Sequence, residues 1–179
     1  ADRLARAGVS LRLVDKERIY EEELQRLAIF EQEHVEEFKA KEAKKILERI
    51  HPHVKVKTFH EELVQTNTFL LDGDVVIDAT NDLKSSQLIN KHCKKPLLVC
   101  WYAGEAGMAF WKSPRHNADK LAKEFEKIGT IKVKGIYTPT VLLGSSIVLS
   151  EAMKSLLKKP IIKGVIAYNA MTLKVNVKK

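Results

Sequence analysis

An acid closes an apolar run at Asp15, and across a charged loop stands an arginine, Arg26, in LRLVDKERIYEEELQR (residues 11–26). A carboxylate at the end of a buried parallel strand is how nucleotide-binding α/β folds accept the ribose hydroxyls. A guanidinium on the following loop can make paired hydrogen bonds to phosphate oxygens. The plainer reading of Asp15 is a cap for the turn that follows. A second acid ends a strand at Asp78, in VVIDATND, with Asn81 and Asp82 after it. Lys39 gains nothing from composition, since Lys41, Lys44 and Lys45 surround it.

The elements that must position these residues alternate. The spacing predicts a helix end over 1–7 stopped by Gly8, then a strand at 10–14 with no polar face. A charged, partly helical connection follows at 21–30. An amphipathic helix is expected over 36–50, with Pro52 preventing its continuation. Next come a strand with one wet face at 54–58, a short helix or turn at 61–70, a strand at 75–78, a helix at 83–92 and a strand at 97–101. This order argues for a Rossmann-like, mostly parallel sheet with helices on both faces. A short strand is expected at 108–111 and a lysine-rich helix at 117–128, within an excursion spanning 112–134. A long apolar helix at 140–157 carries Gly144, Ser145 and Ser146, so that another backbone can approach it closely. A C-terminal antiparallel hairpin at 161–168 and 172–177 completes a single domain over 1–179.

Bulk properties narrow the function. The 179 residues carry a net charge of +8 and 45% hydrophobic content, enough for a core. The lysines lack interleaved aromatics, so a solvated surface is favoured over nucleic-acid binding. No run approaches the roughly 18 apolar residues of a membrane span, and no signal peptide is visible, which places the chain in the cytoplasm by expectation. Two cysteines, Cys93 and Cys100, are too few for a disulfide scaffold or a four-cysteine zinc site. His51, His53, His92 and His116 lack convincing ligand spacing. The chain opens with Ala1 inside a helix, without the glycine-rich phosphate turn that should precede the first strand. We expect a fragment or processed product, whose first central strand is disordered, omitted or supplied by another chain.

The order of parts resembles the ThiF/MoeB/HesA family, relatives of the ubiquitin-activating enzymes. The strings are LVDKE (13–17), ELQRL (23–27), VEEFKAKEA (35–43), DATND (78–82) with Asn90, GIYTPTVLLGSSIVLSEAMK (135–154) and YNAMTLKV (168–175). The resemblance implies ATP-dependent adenylation of the C-terminal carboxylate of a small ubiquitin-like or sulfur-carrier protein. It places Asp15, Glu17, Gln25, Arg26, Lys39 and Asn81 around ATP, with Arg26 and Lys39 as the catalytic cations. It places Mg2+ at Asp82 and Asn81, in reversed order relative to the family's Asp-Asn. It further implies a homodimer or heterodimer. With no cysteine between Gly107 and Ile136, neither zinc nor a thioester step is expected. Glu23, where the family has asparagine, and Ser86, where an arginine is common, depart from the pattern. A weakened member acting as a partner subunit is therefore the alternative. A nicotinamide-dependent oxidoreductase ranks third, because nothing in it would require Arg26, Lys39 or the 135–154 segment.

Overall fold

The computed structural model describes residues 1–129 and 136–178. Gly135 and residues 130–134 of the expected excursion lie outside the described residues. The chain divides into two compact units, Ala1–Val64 and Gln65–Lys179.

In the first unit, β1 (Leu11–Val14) runs parallel to β2 (Val56–Phe59), with Leu11 opposite Val56 and Val14 opposite Phe59. The ladder continues one step further through Asp15 N–H to the Phe59 carbonyl at 3.1 Å. Helix α1 (Asp2–Arg6) ends before Gly8, whose φ of +80° is the left-handed turn glycine makes at little cost. Helix α2 (Lys39–Ile50) buries Ala40, Ala43 and Leu47, a stripe at helical spacing. Ala43 and Leu47 join Ile19, Phe30, Val54 and Val56 in one apolar cluster. Complete burial of a side chain such as Leu47 contributes about 1.5–3 kcal/mol.

Helix α2 begins at Lys39, later than the expected 36, and the cause is long-range pairing. Glu36 has φ +69° and Phe38 is extended. Residues 36–39 instead hydrogen-bond to 17–19: Glu36 N–H to Ile19 O, Ile19 N–H to Glu37 O, and Lys39 N–H to Glu17 O, at 2.9, 2.9 and 3.0 Å. The Phe38 ring has the Arg18 guanidinium 4.0 Å from its centroid and the His60 ring centroid 3.6 Å away, tilted by 37°. This pairing fixes where Lys39 stands.

The second unit holds a five-stranded sheet in the order β3 (Val76–Asp78), β4 (Leu97–Ala103), β5 (Ala106–Trp111), β6 (Val165–Asn169), β7 (Lys174–Lys178). Strands β3 and β4 are parallel, joined through α3 (Leu83–His92), as the β-α-β alternation requires. The remaining pairs are antiparallel, including the expected C-terminal hairpin. The β4–β5 hairpin was not expected: β4 runs past Trp101 to Ala103 and turns at Gly104, with φ +52°, and Glu105. The lysine-rich segment forms α4 (Ala122–Gly129), shorter than expected.

Helix α5 (Thr138–Leu156) packs on β4, β5 and β6. Gly144 is buried, whereas Ser145 and Ser146 are exposed and turn their hydroxyls back to the Leu142 carbonyl. A Cβ added at Gly144 or at Gly107 of β5 would lie 2.2 Å from the Tyr168 hydroxyl. Tyr168 of β6 is therefore seated against two bare backbones. The core beside it centres on Trp101, edge-on to Phe110 and Phe125 with centroids 5.1 and 4.8 Å apart.

Candidate functional site

In the first unit, β1 delivers Asp15 to the start of a loop in which Glu17 N–H donates to Asp15 Oδ1 at 2.8 Å. Burial pushes the Asp15 carboxyl above its ordinary pKa. The Glu17 N–H and the Lys39 charge oppose that rise, while the charges of Glu17 and Glu23 add to it.

Beyond Asp15, a 3-10 turn at Glu21–Glu23 aims Glu23 inward, where it is only 7% exposed. A single oxygen, Glu23 Oε1, accepts from both Arg26 Nη2 and Lys39 Nζ, each at 2.8 Å. The other oxygen faces the Tyr20 N–H at 3.3 Å. Lys39 also donates to Glu17 Oε2 at 2.6 Å, and Arg26 Nη1 to the Glu22 carbonyl at 3.3 Å. Burial by itself would lower the Lys39 pKa. Its hydrogen bonds to Glu17 and Glu23 more than reverse this, so the ammonium is held above the usual lysine value. Gln25 is exposed on the same loop.

The structure brings Asp15, Glu17, Arg26 and Lys39 together and adds Glu23 at their centre. Three carboxylates face two cations. A Glu three residues before an Arg, as in Glu23–Arg26, was a visible local signal for the added pair.

In the second unit, the loop after β3 is built on Asp78, 1% exposed. Asp78 Oδ1 accepts from Thr80 N–H and Thr80 Oγ1 at 3.0 and 2.8 Å. Its Oδ2 accepts from Ser86 Oγ at 2.5 Å, and Ser86 Oγ in turn accepts from Trp101 Nε1 at 2.9 Å. Burial raises the Asp78 pKa, and these hydrogen bonds partly offset it. Ser86, read in the sequence only as a lost arginine, is thus the link between the buried acid and the core tryptophan.

The same loop carries Asn81 and Asp82. Asn81 has φ +52°, and its Oδ1 accepts from Tyr102 N–H at 2.8 Å. Asp82 is the N-cap of α3, its Oδ2 accepting from Ser85 N–H at 2.8 Å. Each therefore commits a side-chain oxygen to holding the loop. Magnesium takes octahedral oxygen ligands, normally carboxylates and phosphates. Among the described residues, no group of three or more His, Cys, Asp or Glu could hold a metal ion. The chain's own donors at Asn81 and Asp82 do not make a magnesium cage.

Cys100 lies mid-strand with its Sγ 3.9 Å from the Tyr168 hydroxyl, and burial pushes its thiol up to about 11. It is a neutral core thiol. A groove of this unit, about 640 Å3, is lined by Asn90, Lys94, Leu97, Trp111 and Lys112 among others. It lies at the start of β4, whereas the 79–82 loop meets β4 near its end at Tyr102. No described helix is long and apolar enough to cross a membrane.

Comparison with known proteins follows this geometry. The ThiF family profile matches residues 1–179. No curated protein matches. Among solved structures, E. coli MccB with AMPCPP and MccA superposes with a TM-score of 0.80 at 15% identity, covering 98% of this chain and 58% of that one. E. coli MccB with ATP gives 0.78 at 15% identity, covering 99% and 58%. PaaA gives 0.74 at 17% identity, covering 99% and 58%. The chain thus spans a little over half the length of these proteins, and likeness at this identity establishes the fold.

Proposed function

The chain belongs to the ThiF family, and from that premise we propose that it handles the nucleotide in ATP-dependent adenylation of a carboxylate. The observation that carries the reading is the convergence of Arg26 and Lys39 on one buried oxygen, beyond a strand that ends on Asp15. Adenylation joins a carboxylate oxygen to the α-phosphorus of ATP and releases pyrophosphate. The chain's contribution is positioning and charge stabilisation. Asp15 accepts ribose hydroxyls. Arg26 binds phosphate oxygens through its planar fork, and Lys39 supplies a point charge where negative charge builds. Glu17 holds Lys39 in place from the strand side, and Gln25 supports the loop. MccB's structures with ATP and with MccA support a nucleotide and a second substrate.

The substrate we favour is the C-terminal carboxylate of a small ubiquitin-like or sulfur-carrier protein, handled by a homodimer or heterodimer. Magnesium, required by such chemistry, would draw on phosphate oxygens; Asp82 and Asn81, the donors the family resemblance assigns to it, each commit an oxygen to a backbone N–H, of Ser85 and Tyr102 respectively.

The test is ATP–pyrophosphate exchange by the intact protein with candidate small-protein partners. Exchange abolished by Lys39→Ala, in a variant that remains folded, is the expected result. A second reading is favoured by the occupied state of Glu23, Asn81 and Asp82: a partner subunit that keeps the fold with weakened chemistry. ATP binding without exchange would replace the first reading by the second. NADH binding without ATP binding would sink both.

A further inference from the structure

We propose that Glu23 is a resident surrogate for phosphate, which holds Arg26 and Lys39 in their working positions and sets the charge a ligand must carry to displace it. This rests on reading those two cations as the phosphate-binding pair.

The geometry is that of a bound anion. One oxygen, Oε1, bridges both cations at 2.8 Å, as a non-bridging phosphate oxygen would. The pair is well shielded, with side-chain exposures of 14% for Arg26, 11% for Lys39 and 9% for Glu23. Two cations left facing each other at this depth would repel, and their long side chains would scatter into solvent. Glu23 prevents this and keeps them preorganised.

The same contact has a selective consequence. With Asp15, Glu17 and Glu23 all present, the cluster carries more acid than base. A ligand bearing one negative charge, such as an ordinary carboxylate, offers no electrostatic gain over the carboxylate already there. A polyphosphate offers several charges on several oxygens, and can occupy both cations while Glu23 retains the Tyr20 N–H. Glu17 remains on Lys39 throughout, which leaves the lysine anchored during exchange. Glu23 thus filters for densely charged anions at the expense of absolute affinity.

The experiment uses inorganic tripolyphosphate, whose binding does not depend on catalysis, together with acetate as the monoanion. Affinities are measured by titration calorimetry at low ionic strength for the wild-type chain, Glu23→Gln and Glu23→Asn, with thermal unfolding to show that each is folded. Both variants are expected to bind tripolyphosphate at least tenfold more tightly than wild type, and to gain measurable acetate binding. In pyrophosphate exchange, the KM for ATP should fall in the variants without a matching rise in kcat. A Glu23 that only braces the turn would not move this split in that direction. Unchanged or weaker tripolyphosphate binding in both folded variants overturns the proposal. The adenylation reading stands or falls separately. Gain of tripolyphosphate affinity with no exchange from any variant upholds Glu23's role and removes adenylation. Lys39-dependent exchange with no gain does the reverse.

Discussion

Glu23 and Glu151 are both buried glutamates that collect positive charge, one in each unit, and their partners differ in kind. Glu151, 1% exposed, accepts from the Trp111 indole N–H at 3.1 Å, the Ile162 backbone N–H at 2.8 Å and the Lys154 ammonium. Trp111 belongs to β5 and Ile162 to the segment leading into β6, so this carboxylate ties α5 to its neighbours with donors that cannot leave. Glu23 holds two long, charged side chains and only one distant backbone N–H. A carboxylate anchored by fixed donors builds a fold. One anchored by movable cations can be replaced by a ligand.

The largest effect should come from removing the fixed network. Glu151→Ala leaves the Trp111 and Ile162 N–H groups without their acceptor, and should cost about 3–5 kcal/mol in chemical denaturation. A loss below 1 kcal/mol would break the contrast. Asp78→Ala comes next, at about 2–3 kcal/mol, because Thr80 and the Ser86–Trp101 pair lose their common acceptor. Its effect on the 79–82 loop should appear as faster amide exchange at Asn81 and Asp82.

A pH titration of stability sharpens the contrast. Burial alone would raise the Glu151 pKa, but its bonds to Lys154, Ile162 and Trp111 depress it below the usual 4.5. A depressed carboxyl contributes stability that is present above its unfolded pKa and lost as pH falls through the folded one. Wild-type stability should therefore drop on acidification below about pH 4.5, and Glu151→Gln should flatten that drop. A slope identical in the two proteins would refute the assignment.

The smallest effect is expected at Glu23. Glu23→Gln removes one acid from a cluster with an acid in excess, while Glu17 still holds Lys39. Its stability should stay within about 1 kcal/mol of wild type by denaturant unfolding. Destabilisation as large as that of Glu151→Ala would make the two glutamates equivalent and erase the distinction.

Much of the charged cluster was legible before the fold was known. Asp15 closes an apolar strand, and the register from LVDKE through ELQRL to the lysine of VEEFKAKEA places Arg26 and Lys39 behind it. What hides the centre of the cluster is distance along the chain. Helical periodicity began α2 at 36, because the pairing of 36–39 with 17–19 competes with a helix only after both segments meet. Lys39 therefore sits at the helix start, next to Glu17, rather than a turn inside. The Asp78–Ser86–Trp101 chain is invisible for the same reason, since no local rule joins a strand end, a helix and a second strand. The β4–β5 hairpin was missed because Ala103, Gly104, Ala106 and Gly107 lack the β-branched residues that mark a strand. Their small size suits the tight turn and the close approach of Tyr168.

That approach of Tyr168 constrains the order in which the sequence can drift. Positions 107, 144 and 168 form an interlocked set: an alanine at 107 or 144 arrives where the tyrosine's oxygen already is. At 144 the tyrosine is the only close obstacle, so a lineage can enlarge that glycine only after position 168 has shrunk, and shrinking it first leaves a void beside Cys100. At 107 the Trp101 carbonyl, 2.7 Å from an added Cβ, stands in the way whatever occupies 168, so Gly107 should persist while Gly144 and Tyr168 are kept or exchanged together.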